Sequence, residues 1–446
     1  MTSQTANGTL DGTHDPRRQS WVASANDEGS DFPIQNLPLG IFTKRGEEPR
    51  RAGVAIGDHV LELQGLLSAG LLTGDAAHVT EAIADGTLNG MFALPARFRR
   101  ELRRQLANLL DEKQDPDTVK SLSSHLIELS DCNLCCPVQI RDYTDFFAGI
   151  YHAEAVGKLL HKDGEALPEN YHWLPIAYHG RASSVVISGT AVRRPRGLRK
   201  DVHGEISFGP SYRLDLELEM GFFVGPGNTL GSPVPISKAA SHICGFCLLN
   251  DWSARDIQQF EMVPLGPFLG KSFGTTISSW VVTPEALAPF RAPAMARDEF
   301  AQQPDYLLDE LDQASGALDV ELSVSLSSEK MRLLGLPEET LITSNARYLY
   351  WSPAQMVAHH TVGGCNLSPG DLLGTGTISG PRPDQLSSLL ELTAGGEQLR
   401  KLSSGENRSF LEDGDVVTLR GRCERAGFRS IGFGDCTGEI TAAPEG

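Results

Sequence analysis

The chain has 446 residues, too many for one compact core, so we expect two domains. Apolar residues make up 40% of the chain and charged residues 22%, which is typical of globular proteins and not of disordered ones. The 39 lysines and arginines stand against 57 aspartates and glutamates, giving a net charge of −18 at pH 7. So acidic a chain is repelled by phosphate backbones and anionic lipids, which argues against a nucleic-acid or membrane partner.

The segments that direct a protein to a compartment give no strong signal here. The N-terminus lacks the apolar core of a signal peptide, and no stretch approaches the ~20 apolar residues of a membrane helix. Eight cysteines are sparse for this length and do not form a disulfide-scaffold pattern. We therefore expect a soluble, reduced, cytoplasmic protein.

In chain order, the first predicted segment is a flexible tail over 1–30, which is rich in Ser, Thr, Asn, Asp and Gly. Short apolar runs separated by glycine and polar turns follow over 32–63, a pattern typical of a small β-barrel or roll. Residues 64–112 are predicted to form helices, with Pro95 suited to the first turn of one of them. The apolar stripe of that helix consists of Phe98, Leu102, Leu106 and Leu109.

Five arginines lie between the residues of this stripe, namely Arg97, Arg99, Arg100, Arg103 and Arg104. Such a basic cluster is either a patch for an acidic partner or the solvated face of a surface helix. The cluster is too short to outweigh the acidic composition of the whole chain, so we favour the solvated face.

The second predicted domain follows a break at about 130–140 and consists mostly of short strands with Gly and Pro between them. The segment 318–326 alternates apolar and polar residues, which predicts a strand with one buried face. Residues 286–312 are acidic and rich in Pro and Ala, and we interpret them as a surface excursion.

The most informative strand runs over 212–220, where Asp215, Glu217 and Glu219 share one face opposite three leucines. Three neighbouring carboxylates repel one another unless they are solvated or share a cation. The strand alone leaves both interpretations open: an ordinary strand with an acidic wet face, or part of a metal site.

Two further segments favour the metal site, because each places reactive polar groups beside bulky apolar ones, as a pocket wall does. One is 142–147, followed by His152, and the other is 250–259. The loop over 264–276 adds glycines that allow close backbone approach and a fixed positive charge at Lys271. Its glycine spacing does not fit a phosphate-binding loop.

Seven motifs spread along the chain carry a resemblance to a known family: residues 31–38, 142–146, 178–184, 216–219, 250–258, 374–381 and 431–434. On these motifs the chain closely resembles the fumarylacetoacetase family. The resemblance implies a mainly β (α+β) fold, with a small N-terminal SH3-like β-barrel and helices over 31–137. It further implies a large C-terminal mixed β-roll catalytic domain over 138–446, which forms a homodimer.

The resemblance also assigns a site. It implies a metal site for Ca²⁺ or Mg²⁺ formed by Asp145, Glu217, Glu219 and Asp251, with Lys271 and Thr275 at positions of a magnesium site. A charged ammonium cannot be a ligand, so Lys271 would contribute its backbone carbonyl. The implied catalytic residues are the general base His152, its orienting carboxylate Glu391, and the oxyanion donors Arg255, Gln258 and Lys271. The implied substrate-binding positions are Phe147, His161, Tyr178, Gln258, Met262 and Thr377.

The implied activity is that of a metal-dependent hydrolase acting on carbon–carbon bonds in ketonic substances. It would convert the 1,3-diketone 4-fumarylacetoacetate and water into fumarate and acetoacetate, the last step of tyrosine and phenylalanine degradation. Phe147, His161 and Met262 depart from the family's Tyr, Arg and Tyr at these positions. The departures leave an alternative within the same fold, a hydrolase or decarboxylase of an acylpyruvate or related diketo acid. A non-catalytic cation- or metabolite-binding protein is the alternative from another class.

Two other patterns have ordinary explanations. The pairs Cys132–Cys135 and Cys244–Cys247 have zinc-like spacing, but buried inert thiols are the favoured interpretation. The histidines His179, His359 and His360 are more readily explained as hydrogen-bonded or core residues than as metal ligands, although His179 adjoins a pocket position.

Overall fold

The computed structural model describes residues 4–5, 8–45, 47–160, 164–201, 203–297 and 303–445. They form a mixed α and β architecture built mostly around sheets, as the sequence predicts. None of the helices in these ranges is both long and apolar enough to cross a membrane.

The N-terminal part contains one five-stranded antiparallel sheet with helices packed on it. Its elements are β1 Gln4–Thr5, β2 Gly8–Thr9, β3 Leu39–Lys44, β4 Arg51–Ile56, β5 His59–Glu62, α1 Leu63–Ser68, α2 Gly74–Ala82, α3 Asn89–Phe92, α4 Ala96–Leu109, α5 Pro116–Ser123, β6 Leu126–Glu128 and β7 Cys132–Cys135. The strand order is β6-β5-β4-β3-β7. Leu102 and Leu106 of α4 are buried in the same core as Ile41 and Val54 of the sheet, which confirms the apolar stripe.

The prediction of a flexible tail is wrong for the part of segment 1–30 that packs on α4. Short 3₁₀ turns form at Gly12–His14 and Ala23–Asn26, and the side chain of Val22 is buried. Trp21 Nε1 donates a hydrogen bond to the carbonyl of Leu109 at 3.0 Å. Ser20 Oγ likewise donates to the carbonyl of Leu110 at 2.8 Å, so this segment satisfies the backbone at the end of a helix distant in sequence.

The solvated-face prediction for the arginine cluster is wrong at two positions. Arg99 and Arg103 are buried, while the other three arginines are exposed. Arg99 forms a bidentate ion pair with Glu285, at 2.8 and 2.9 Å. Arg103 donates to the backbone carbonyls of Gln35 and Asn36 at 2.5 and 2.6 Å. Each guanidinium is therefore satisfied by chain segments that helical periodicity cannot reveal.

The C-terminal part holds two large sheets. Its elements are β8 Tyr143–Phe146, α6 Ile150–Leu160, β9 Ala177–His179, β10 Val185–Ile187, β11 Val192–Arg193, β12 Arg196–Lys200, β13 Ile206–Pro210, β14 Leu214–Asp215, β15 Leu218–Val224, α7 Ile236–Ala239, β16 Ile243–Asp251, β17 Ser253–Ala254, α8 Arg255–Glu261, β18 Thr275–Ile277, β19 Arg291–Ala292, α9 Glu310–Ser315, β20 Ala317–Leu318, β21 Glu321–Ser327, α10 Glu329–Leu333, β22 Glu339–Asn345, α11 Pro353–Val362, β23 Leu372–Gly374, α12 Leu389–Leu392, β24 Arg400–Lys401, β25 Asn407–Arg408, β26 Val416–Cys423, β27 Ile431–Gly432 and β28 Cys436–Thr441.

One sheet has the order β10-β18-β16-β15-β23-β8-β9, and the other has β11-β28-β26-β21-β22 with β27 beside β26. The first sheet is mixed, since β23 runs parallel to β8 and antiparallel to β15. Phe246 of β16 and Leu322 of β21 belong to one hydrophobic core that joins the two sheets. The buried alternation of β21 agrees with the strand predicted over 318–326.

The segment 286–312 is not a surface excursion where it begins. Leu287 and Phe290 are buried, and β19 pairs with β20. This pairing ties the segment to the β-roll, so its apolar residues enter the core instead of facing water. Residues 298–302 lie outside the described part of the chain.

The acidic strand predicted over 212–220 is interrupted. β14 pairs with β17 and ends at Asp215, whereas β15 pairs with β16 from Leu218 onward. Because the chain changes pairing partner between them, the three carboxylates at Asp215, Glu217 and Glu219 do not share one environment. All three are buried, so the interpretation as an acidic wet face is wrong.

Candidate active site

Three buried carboxylates from three strands of the seven-stranded sheet converge on one point. Asp145 lies in β8, Glu219 lies in β15 and Asp251 ends β16, and one oxygen from each lies within 4.8 Å of the others. Glu219 and Asp145 flank Gly374 of β23, because Gly374 is the register partner of Asp145. The backbone N–H of Gly376 donates to Glu219 at 2.9 Å and to Asp145 at 3.3 Å. We call Asp145, Glu219 and Asp251 the acidic cluster.

The carboxylates of the acidic cluster disfavour one another's negative charge. Burial, followed by the nearby charge of Asp251, raises the pKa of Asp145 well above its usual range. Burial and the charge of Asp145 act in the same way on the pKa of Glu219. One oxygen of Glu219 (Oε1) and one of Asp251 (Oδ1) are buried without a hydrogen-bond partner in the described part of the chain. Such oxygens are what a hard cation requires as ligands.

Lys271 provides the positive charge beside this cluster. Its ammonium donates to Asp251 Oδ2 and to Glu217 Oε2, both at 2.5 Å. Burial opposes the charge on Lys271, but the two carboxylates more than offset it and raise its pKa. Glu217 is likewise buried, yet Lys271 and Arg255 lower its pKa well below the usual range. Glu217 is therefore held as an anion between two cations.

A histidine–carboxylate pair approaches Glu217 from the other side. His152 Nδ1 lies 2.7 Å from Glu391 Oε2, and His152 Nε2 lies 3.7 Å from Glu217 Oε1. Glu391 also accepts hydrogen bonds from Ser379 Oγ at 2.8 Å and Ser388 Oγ at 2.7 Å. The carboxylate thus has three donors around it, which orients the imidazole ring.

Arg255, the first residue of α8, connects Glu217 to a further carboxylate. Its Nε donates to Asp215 Oδ2 at 2.8 Å, and its Nη2 lies 2.8 Å from Glu217 Oε1. Its Nη1 donates to Gln258 Oε1 at 3.2 Å. Burial acts against the charge on Arg255, but Glu217 and Asp215 raise its pKa, so it stays a fixed cation.

Comparison with known proteins assigns the chain to a family. The model "Fumarylacetoacetase N-terminal" matches residues 35–137, and "Fumarylacetoacetate (FAA) hydrolase C-terminal" matches residues 143–441. The chain belongs to the fumarylacetoacetase family. It is 47% identical over 426 residues to a fumarylacetoacetase of Arabidopsis thaliana, covering 94% of this chain and 98% of the relative. It is 46% identical over 420 residues to one of Homo sapiens, covering 93% and 97%.

Most of the site residues expected for a fumarylacetoacetase come together in one network of buried charges. Its members are Asp145, His152, Glu217, Glu219, Asp251, Arg255, Lys271 and Glu391. Tyr178 joins it by donating from its hydroxyl to Asp251 Oδ2 at 2.8 Å. The ring of Phe147 stands edge-on to His152, with centroids 5.5 Å apart.

Other expected positions make no hydrogen bond to the network. In the described part of the chain, the side chains of Thr275, Thr377 and Met262 form no hydrogen bond with it. Thr275 is the cross-strand neighbour of Asp251, and Met262 follows α8 at the surface. His161 lies outside the described residues.

Of the four carboxylates that the resemblance assigns to the metal, three form the acidic cluster and the fourth, Glu217, lies beside it. Glu217 directs both its oxygens to cations of the protein, whereas the acidic cluster keeps oxygens without partners. The cluster thus fits a metal ion by its donor chemistry. The parts assigned to Glu217, Lys271 and Thr275 at the metal remain predictions.

The sequence analysis gave no role to Ser379, Ser388 and Gly374, and it grouped Asp215 with Glu217 and Glu219 on one strand face. Ser388 had a signal that could have been found, because Ser388 and Glu391 have the spacing of a helix capping box. Ser388 Oγ accepts from the Glu391 N–H at 3.3 Å as well as donating to its side chain. Gly374 had no comparable signal, because only the pairing of β23 with β8 places it against Asp145.

His359 and His360, outside this network, are hydrogen-bonded, in agreement with the ordinary interpretation given above. His359 Nδ1 lies 2.8 Å from the Tyr306 hydroxyl, and His360 Nε2 lies 2.8 Å from Thr144 Oγ1. The Cys244 thiol accepts from Arg99 Nη1 at 2.9 Å, and it is buried.

Proposed function

We propose that this chain hydrolyses 4-fumarylacetoacetate to fumarate and acetoacetate, cleaving the carbon–carbon bond of a 1,3-diketone. The observation that carries the proposal is the pair His152–Glu391, with Nε2 of the imidazole directed toward the anionic Glu217. Membership of the fumarylacetoacetase family over nearly the whole chain supports it.

The base in this mechanism is His152. In this mechanism His152 Nδ1–H donates a hydrogen bond to Glu391, which leaves the lone pair of Nε2 to take a proton from water. The water oxygen bonds to the substrate carbonyl carbon as that proton moves to Nε2. When the carbon–carbon bond then breaks, its electron pair stays on the acetoacetate carbon, which receives the proton back from His152.

The charge that develops on the attacked carbonyl oxygen requires donors. Arg255, Gln258 and Lys271 are proposed for this role, supported by the fixed positive charges of Arg255 and Lys271 beside the base. Because carboxylates of the protein already orient both cations, they need little reorganisation during the reaction.

The acidic cluster, with Glu217 adjacent, is proposed to hold Ca²⁺ or Mg²⁺, and the resemblance adds Thr275 and the Lys271 carbonyl. Buried carboxylate oxygens without partners support this assignment. When bound, the cation would polarise the diketone oxygens and stabilise the enolate of the leaving group. Calorimetric titration of the chelator-treated protein with Ca²⁺ and, separately, with Mg²⁺ would identify the preferred ion.

The substrate-binding wall is proposed to include Phe147, Tyr178 and Thr377, with Met262 and His161 as variable positions. The closeness of Phe147 to His152 and of Tyr178 to Asp251 supports the first two. Relatives that cover nearly the whole chain are named fumarylacetoacetases, and this supports 4-fumarylacetoacetate as the substrate over other diketo acids. A screen of acylpyruvates at equal concentration would contradict this choice if one of them had the higher kcat/KM.

The test of the function is the loss of 4-fumarylacetoacetate absorbance, with both products identified. The wild type should turn over, and His152→Gln should lose at least about a hundredfold in kcat because the base is removed. His359→Gln is the matched control, since His359 in α11 bonds to Tyr306, which is not part of the network. Full activity in His152→Gln contradicts the mechanism. Substrate binding without turnover by the wild type would favour a non-catalytic binding protein.

A homodimer is also proposed, supported by an apolar outer face on the hairpin of β12 and β13. Leu198 lies opposite Phe208, and Ile206 follows on the same side. These three side chains are 49%, 64% and 59% exposed. A contiguous exposed apolar face typically marks a protein interface.

The cytoplasmic location stays a prediction, which fractionation of the source cells would test.

Light scattering after size-exclusion chromatography tests the dimer. Phe208→Asp should shift the protein to a monomer, because a charge cannot be buried in an apolar interface without a partner. Leu399→Asp, at another exposed leucine, should leave the mass unchanged. A monomeric wild type contradicts the proposal.

A further inference from the structure

Asp215 is a fully buried carboxylate to which the mechanism above gives no role. It ends β14 with no exposed surface, and it does not belong to the acidic cluster. Its Oδ2 accepts from Arg255 Nε at 2.8 Å, while Arg255 Nη2 lies 2.8 Å from Glu217 Oε1. One of its partners is therefore a proposed oxyanion donor.

The same carboxylate binds the start of the helix that carries the orienting glutamate. The backbone N–H of Leu389 donates to Asp215 Oδ1 at 2.7 Å, and that of Leu390 donates to Oδ2 at 3.0 Å. These two residues open α12, in which Glu391 follows directly. Asp215 thus contacts both the residue that stabilises the oxyanion and the segment that positions the partner of the base.

Both oxygens of Asp215 are already used by the protein. Besides these bonds, the N–H of Leu216 donates to Oδ1 at 2.8 Å. Such a carboxylate has no oxygen left for a cation or a substrate, so its contribution is geometric. Arg255 and Glu391 lie in segments distant in sequence, and Asp215 is the side chain that bonds to both segments directly.

We propose that Asp215 is a positioning residue that holds Arg255 and the Glu391-bearing helix in one fixed relation, so that oxyanion donor and oriented base act on the same substrate carbonyl. The proposal rests on the hydrolase function proposed above. Small misplacements of such groups reduce rates strongly, while substrate binding through other contacts persists. Substitution of Asp215 should therefore lower kcat more than it changes KM.

The decisive variant is Asp215→Asn, which keeps the side-chain shape but places an amide where acceptors are needed. We expect kcat to fall by about tenfold to a hundredfold with KM within about threefold of wild type. A second measurement needs no substrate: the downfield proton NMR signal of His152 Nδ1–H, assigned by its loss in Glu391→Gln. This signal should shift or broaden in Asp215→Asn, because Glu391 moves relative to His152.

The matched control is Asp415→Asn. Asp415 is a buried carboxylate in an ion pair with Arg408 at 2.9 and 3.0 Å, and it also accepts a backbone N–H from Glu412. It lies outside the network, so its loss should lower Tm without changing kcat or the His152 signal. Asp215→Asn with the kinetic and NMR behaviour of Asp415→Asn would overturn the proposal.

A variant that retains the charge covers the case in which Asp215→Asn does not fold. Asp215→Glu keeps an anion for Arg255 but moves its oxygens relative to the N–H groups of Leu389 and Leu390. It should also lose kcat and alter the His152 signal, and wild-type values for both would overturn the proposal. Absence of turnover in the wild type would contradict the hydrolase function alone, since the NMR comparison still tests the positioning.

Discussion

Gly374 lies opposite Asp145 in the parallel pairing of β23 and β8, and the absence of a side chain there makes room for the acidic cluster. A Cβ at Gly374 would come within 2.4 Å of Asp145 Oδ1 and 3.2 Å of Glu219 Oε2. The backbone of Gly374 has ordinary negative φ, so the constraint is space and not conformation. The cluster depends on glycine at this position because two carboxylates fill the space that any side chain would need.

We therefore expect Gly374→Ala to weaken cation binding at least about tenfold, because the added methyl group displaces Asp145 or Glu219. Isothermal titration calorimetry with Ca²⁺ and Mg²⁺ measures the effect. Gly363→Ala is the control, since a Cβ there would meet no atom within 4 Å. Equal affinity in both variants would show that the cluster tolerates the methyl group.

Removal of the cation should destabilise the fold. Three buried carboxylates repel one another, and an ion bound only by the folded state at about 100 times its Kd adds roughly 2.7 kcal/mol of stability. Chelation should thus lower Tm, and re-addition of the preferred ion should restore it. In Glu219→Gln, Tm should respond much less to the chelator. A wild type whose Tm ignores both treatments contradicts a metal site.

Ser388 both caps α12 and holds Glu391, so its hydroxyl should matter for stability and for catalysis. Ser388→Ala should cost about 1 kcal/mol of stability, typical of a lost helix cap. It should also lower kcat by about tenfold, because Glu391 loses one of the donors that orient it.

The capping serine of α11 provides the comparison. Ser352 Oγ accepts the N–H of Gln355 and donates to Asp312, outside the network. Ser352→Ala should lose a similar amount of stability in urea unfolding while keeping kcat. If Ser388→Ala kept kcat as well, the hydroxyl would serve only the helix.

The ion pair between Arg99 and Glu285 should be among the costliest contacts to break. Both side chains are more than nine-tenths buried, so Glu285→Gln leaves a buried guanidinium without its counter-charge. The expected loss is about 3–5 kcal/mol in the free energy of unfolding. Asp384→Asn, which breaks an exposed pair with Arg382, should leave the urea midpoint unchanged. Equal midpoints for the two variants would contradict the expectation.

Local patterns were sufficient for much of this protein. The spacing of Leu102 and Leu106 predicts the buried side of α4, and the alternation over 318–326 predicts β21. The motifs around Asp145, His152 and Asp251 identify the family and bring candidate site residues into view. These features are local or repeat along the chain, so a single sequence carries them.

Tertiary structure decided which polar groups meet. Alternation along a strand put Asp215 beside Glu217 and Glu219, but the chain changes strand partner between them, so each has its own set of partners, although Arg255 contacts both Asp215 and Glu217. Asp215 binds Arg255 and the start of α12, Glu217 binds two cations, and Glu219 enters the acidic cluster. Similarly, Arg99 is buried because Glu285, far away in sequence, satisfies it. Periodicity reports which face of an element is apolar. The partner of a buried charge is set by contacts between distant segments, and these arise only when the chain is folded.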